Sequence, residues 1–113
     1  MKLKEIVERL GLEVLCGDEP LDREVTGGYS GDLLSDVIAN SKGGHVWITM
    51  QVHVNIVAVA VLKELAAIII VQGRAVAEET LKKAREESVT LLVSQLPAFE
   101  TAGKLNRLGV GVT

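Results

Sequence analysis

A chain of 113 residues carries about one domain's worth of polypeptide, and folding at that size hides roughly 60–70% of the unfolded surface, enough for a core without staples. Hydrophobic residues at 48% with a net charge of only −3 exclude intrinsic disorder, while 3% aromatics and a pI near 5.4, with no basic stripe, exclude nucleic acid as a partner. The single cysteine, Cys16, excludes an intrachain disulfide and fits a reducing cytoplasm, and no His/Cys spacing suits a structural zinc ion.

Mean hydropathy of +0.31 is high for so small a domain, so part of the apolar surface is expected to lie in an interface, most simply that of a homodimer. Leu3, Ile6, Val7 and Leu10 recur at helical spacing and Gly11 stops the pattern; the chain therefore opens on an amphipathic helix rather than a secretory leader. Residues 13–16 read as a short strand and 17–23 as a loop punctuated by Gly17 and Pro20. Residues 24–26 read as a second strand, cut off by Gly27 and Gly28. Leu33, Leu34, Val37 and Ile38 make one face of the next helix, with Ser30 or Asp32 as its cap and the NSKGG segment as its stop.

Residues 45–49, HVWIT, form a strand. The next stretch, QVHVNIVAVAVLKEL, begins as an alternation but ends on Lys63-Glu64-Leu65, and a strand running to Val61 would far exceed the usual five or six residues. The strand is therefore broken near His53, and residues 54–65 become a helix, apolar nearly all round and buried on more than one side. Lys63 and Glu64 also interrupt the longest apolar run, so no membrane span is expected. Residues 67–71, AIIIV, have the continuous apolar character of a central parallel strand. A helix over 77–87 carries Glu78–Lys82 and Glu79–Lys83 pairs at i,i+4 and a narrow buried stripe of Ala77, Leu81 and Ala84. Residues 90–93 form another strand, Pro97 opens a helix over 99–108 from its N1 position, and GVGVT at 109–113 reads as a final strand. The alternation from His45 onward implies an α/β fold: a single compact domain with a mainly parallel sheet, right-handed β-α-β crossovers and an N-terminal helix.

Ligands of parallel sheets gather at the rim where the strands end. Thr49, Gln51, His53 and Asn55 come after one predicted strand, Gln72, Gly73 and Arg74 after a second, and Ser94 and Gln95 after a third, so these side chains are expected to converge. The segment GGYSGD, with Gly27, Gly28, Tyr29, Ser30 and Asp32, leads into a helix and reads either as a capped tight turn with glycines at positive φ or as an anion cradle at a helix N-terminus. It matches neither G-x-x-x-x-G-K-[ST] nor G-x-G-x-x-G, no lysine comes after it, and Asp32 places negative charge where a phosphate would sit. His53 is either a near-neutral acid, base or ligand, or a side chain bonded to the neighbouring turn. Asn55 is a cap or an interface contact, Arg74 an anion clamp or an ordinary turn residue, and Tyr29 a cover over a ligand or a partner. His45 is expected at the surface, Trp47 in core or interface, and Cys16 in buried packing. No G-x-S-x-G, H-E-x-x-H or dense carboxylate cluster is present, so no catalytic residue, metal or cofactor is assigned; an enzyme built on His53 with Thr49, Asn55 or Asp32 is the weaker reading.

The stretch VTGGYSGDLLSDVIANSKGGHVWITMQVHVNIVAVAVLKELAAIIIVQG, residues 25–73, resembles the DRTGG domain family, and the looser likeness extends over nearly the whole chain. The letters of that name occur in order but interrupted: Asp22-Arg23, then Glu24-Val25, then Thr26-Gly27-Gly28. The resemblance implies a small α/β module of unknown activity, of a kind found alone or beside CBS domains in regulated family II pyrophosphatases and beside enzyme domains such as phosphate acetyltransferases. It implies regulation or dimerisation rather than chemistry, here as a stand-alone member. Together with the rim of polar turns it leads to the expectation of a homodimeric regulatory module that binds a small anionic metabolite or nucleotide; the apolar helix over 54–65 and Trp47 motivate the alternative, an adaptor in a larger protein complex.

Overall fold

The computed structural model describes residues 1–17 and 19–111. Helix α1 (Leu3–Leu10) forms on its apolar spacing, burying Leu3 and Ile6, and Gly11 closes it at φ 64 with its N–H on the carbonyl of Val7. Strand β1 (Glu13–Cys16) comes next, then a 3-10 turn over Glu19–Asp22. The remaining elements are β2 (Gly27–Ser30), α2 (Leu34–Asn40), β3 (His45–Thr49), α3 (Asn55–Lys63), β4 (Ala67–Ile70), α4 (Glu78–Glu86), β5 (Leu91–Val93) and α5 (Ala98–Arg107).

The five strands make one sheet in the order β1-β5-β4-β3-β2, with β2 to β5 mutually parallel and β1 antiparallel on β5. The order steps one strand at a time from β2 to β5, so right-handed crossovers lay α2, α3 and α4 side by side on one face. Side chains alternate between the faces as a pleat requires. Trp47, Ile68, Ile70, Leu91 and Val93 pack with α2, α3 and α4, whereas Val46, Ile48, Ala67, Ile69 and Leu92 pack with α1 and α5. Both faces are covered, which explains why AIIIV has no polar alternation. Trp47 is fully buried, its indole N–H donating to the Gly31 carbonyl at 2.8 Å, and Cys16 is packed in the same layer. Among the described residues no helix is long and apolar enough to cross a membrane.

Several expectations need correction. The second strand is GGYS itself rather than residues 24–26, of which only Glu24 makes an isolated bridge, to Lys2. Gly27 and Gly28 lie opposite His45 and Val46 in a parallel ladder, and neither has positive φ. They are not a turn. The first is tightly packed: a Cβ on Gly27 would stand 3.0 Å from His45 Nε2. Neither Ser30 nor Asp32 caps α2; its cap position is Leu33, without a side-chain hydrogen bond. The i,i+4 pairs expected in α4 give way to Glu78–Arg85 at 2.6 Å and Lys83–Glu87 at 3.3 Å, and its buried residues are Thr80 and Ala84 while Ala77 is exposed. Pro97 occupies the cap position of α5 rather than N1. Residues 109–111 turn instead of forming a strand, and the rest of the expected last strand lies outside the described residues. His45 is half-buried, not at the surface.

Candidate functional site

Because β2, β3 and β4 are parallel, the segments that leave them emerge at one rim. There Asp32 from the β2 exit, residues 50–54 from the β3 exit, Arg74 from the β4 exit and the start of α4 line a cleft of about 530 Å³. Four predicted residues meet in it: Asp32, Gln51, His53 and Arg74.

Asp32 ties the rim together. Its Oδ1 accepts from Thr49 Oγ1 at 2.7 Å and from the Met50 N–H at 2.8 Å, and its main-chain carbonyl accepts from Gln51 Nε2 at 3.1 Å. Thr49, 1% exposed, also accepts from the Gln51 N–H at 3.1 Å, so its hydroxyl is spent on the loop rather than offered to the cleft. The other oxygen of Asp32, Oδ2, has no protein partner among the described residues. Gln51 likewise keeps its side-chain oxygen as an uncommitted acceptor.

The chain bends out of β conformation after Thr49, as the usual length of a strand requires. His53 turns back onto the start of α3: its Nδ1 accepts from the Asn55 N–H at 3.1 Å and its carbonyl from the Ile56 N–H at 3.1 Å. The imidazole thus does the work of a helix cap, and neutral His53 carries its proton on Nε2. Asn55, exposed at the first position of α3, does not line the cleft. Across the cleft, Thr80 in the first turn of α4 donates to the Val52 carbonyl at 3.0 Å and fixes the loop to the neighbouring helix.

Arg74 is held by an amide rather than an acid. Gln72 Oε1 accepts from its Nε at 3.3 Å and from Nη2 at 3.1 Å, and no carboxylate of the described residues pairs with it. Gln72 adopts φ 63 and Gly73 φ 60, two successive left-handed residues whose N–H groups reach the carbonyls of Leu96 and Ser94. A left-handed glutamine is uncommon, and such backbone collects where a side chain must be placed. Ser94 is buried against Thr101 and Gln95 lies over Gly73; both belong to the β5 exit but not to the cleft.

The remaining candidates sit elsewhere. Gly28, Tyr29 and Ser30 line a separate hollow of about 270 Å³ with Ala102, Leu105, Asn106 and Val110 of the α5 region, and Gly27 lies at the opposite end of β2 from the rim. The Tyr29 hydroxyl donates to Asp36 of α2, and that bond raises its pKa to about 12. Sequence reasoning does not single out Met50, Glu79 or Thr80, which line the cleft. A signal exists for the last two: a helix reached from a parallel strand begins at the same rim, so its first turn belongs to the site.

The DRTGG domain family matches residues 5–108 of this chain. No curated protein matches it. Among solved structures it is similar to the CBS and DRTGG domains of the regulatory region of Clostridium perfringens pyrophosphatase, a structure complexed with the activator diadenosine tetraphosphate. The identity is 17% and the TM-score 0.72, over 92% of this chain and 45% of that one, so this chain spans less than half of the regulatory region it matches.

Proposed function

We propose that this chain, which belongs to the DRTGG domain family, is a non-catalytic regulatory module that senses a small metabolite in its rim cleft. The observation that carries the reading is the meeting of Asp32, Gln51, His53 and Arg74, from three different strand exits, in one cleft. A regulatory region of like fold is complexed with a nucleotide activator, which supports a nucleotide or another small metabolite as the class of ligand. The Thr49 hydroxyl and the His53 Nδ1 lone pair are spent on local hydrogen bonds, which favours sensing over general-base catalysis. A cytoplasmic setting suits the lone cysteine.

A second reading, a homodimer or an adaptor in a larger assembly, draws on Leu33 and Ile38 near α2 and Val61 and Leu62 on α3, which stay exposed; Leu33 is 69% and Leu62 64% accessible. The two readings are compatible.

Thermal unfolding of the full chain with nucleotides, pyrophosphate, acetyl phosphate and amino acids tests the sensing reading. A ligand at 100 times its Kd adds about 2.7 kcal/mol of stability. At least one probe is expected to raise Tm, and Arg74→Ala to remove the rise. No shift with any of them defeats the reading. Light scattering over a range of concentrations tests the dimer, with Leu62→Lys expected to leave a folded monomer.

A further inference from the structure

We infer that the rim cleft takes a small zwitterion of the amino-acid class, its carboxylate on Arg74 and its ammonium on Asp32 and Gln51, and not a polyphosphate. The inference rests on the sensing reading and narrows it.

Charge favours a zwitterion. The permanent charges lining the cleft are one guanidinium, Arg74, and two carboxylates, Asp32 and Glu79. One cation can match one anionic group. A di- or triphosphate would bring several negative charges beside two carboxylates with no further lysine or arginine to offset them.

The supply of donors points the same way. Phosphates on α/β rims are held by free N–H groups at helix starts. At α3 those groups are already spent: the Asn55 N–H on His53 Nδ1, the Ile56 N–H on the His53 carbonyl and the Val57 N–H on the Val54 carbonyl. At α4, whose first turn also borders the cleft, Glu78 and Glu79 set two carboxylates beside the open N–H groups and oppose a polyanion. The β2 and β3 exits also offer acceptors, namely Asp32 Oδ2 and the side-chain oxygen of Gln51, two residues already joined to each other by the Gln51 Nε2 bond. An ammonium has three donors and no acceptor, which suits such a pair.

The arginine, finally, is preset. Left-handed Gln72 holds the guanidinium through Nε and Nη2 while Nη1 stays uncommitted among the described residues, so Arg74 is positioned before any ligand arrives. A planar fork with spare donors suits one carboxylate. Met50, Val52, Val54 and Ala77 supply an apolar remainder of the lining for a side chain.

The test is NMR titration of the full-length chain, observing residues 50–54 and the Arg74 Nε–H, with the twenty common amino acids, pyrophosphate and ATP as separate probes. At least one amino acid should give saturable shifts there, and its α-hydroxy acid analogue, which lacks the ammonium, should bind at least tenfold more weakly. Asp32→Asn keeps an Oδ1 for Thr49 and Met50 but replaces the open oxygen by a donor; it should weaken the amino acid at least tenfold while the spectrum stays folded. Arg74→Lys should weaken it as much. If pyrophosphate or ATP shifts these residues at lower concentration than any amino acid, the zwitterion is overturned and the sensing reading stands. If no probe of either class moves them, both fall.

Discussion

Asp32 Oδ1 lies 2.7 Å from Thr49 Oγ1, so a carboxylate placed by sequence to cap α2 is instead fastened to the end of the neighbouring strand, seventeen residues on. The same oxygen accepts from the Met50 N–H, and the bond joins the exits of β2 and β3 where the cleft begins. Removing it would leave the O–H of Thr49, a residue 1% exposed, without its acceptor. Asp32→Ala should therefore cost about 1–2 kcal/mol in urea unfolding, in the range for a charge-assisted hydrogen bond near a surface. Asp32→Asn should cost less than half as much. Equal losses for the two would show that the charge, not the acceptor, holds the rim.

Tyr29 supplies a clean optical test, since it is the chain's single tyrosine. Its hydroxyl donates to Asp36, and ionising it would set a phenolate against that carboxylate; the hydrogen bond, then partial burial, lifts its pKa to about 12. An unperturbed phenol titrates near 10. The raised folded value means that the bond stabilises the fold fully below about pH 10 and is lost as pH climbs towards 12. Absorbance at about 295 nm should rise with a midpoint near 12, and Asp36→Asn should bring it back towards the ordinary phenol value. A midpoint near 10 in the unsubstituted protein would contradict the bond.

The legible parts of this fold are those where one residue property decides the structure. HVWIT and AIIIV announce buried strands because they are apolar and β-branched, and both lie within a residue of their expected bounds. The bend at His53 is a matter of length alone. GGYS escapes a sequence reading because its strand state comes from the ladder with β3, a contact that local propensity does not encode. With β2 misplaced, Gly28, Tyr29 and Ser30 lie along a separate hollow and Gly27 at the far end of the strand, while Asp32, Gln51, His53 and Arg74 sit after strand ends and line one cleft. The helix cap on Asp32 fails for a related reason: two donors on the next strand compete for the same carboxylate oxygen.

The glycine pair can be separated by substitution. A Cβ on Gly28 meets Val46 at an ordinary 3.6 Å, and the backbone there is extended, so Gly28→Ala should be neutral or stabilising by about 0.4–1 kcal/mol through the unfolded chain. Gly27→Ala presses on the half-buried His45 ring and should destabilise. Gly44→Ala should be worse than either, since φ is +80 and the new atom falls 2.6 Å from Thr26 Oγ1. Chemical unfolding of the three variants gives the ranking. If Gly28→Ala proves the most damaging, the strand assignment of this segment is wrong.

His45 gives the chain an acid-sensitive joint at the start of β3. Burial, and then the charge of Lys42, push its pKa below the usual 6.5. Its Nδ1 accepts from the Lys42 N–H at 3.2 Å, so the neutral ring carries its proton on Nε2, and protonating Nδ1 would turn an acceptor into a donor facing a donor. In the unfolded chain the imidazole takes up a proton near pH 6.5, while in the folded chain it resists. The unfolded state then binds more protons, so His45 costs stability as pH falls through about 6.5, and the loss levels off below the folded pKa. Thermal unfolding between about pH 7.5 and 5 should show this fall, and His45→Asn, which keeps an acceptor and does not titrate, should flatten it. In NMR the His45 ring proton should titrate with a midpoint under 6.5. A midpoint above that value would mean that the ring is solvated rather than wedged between Gly27 and the 42–45 turn.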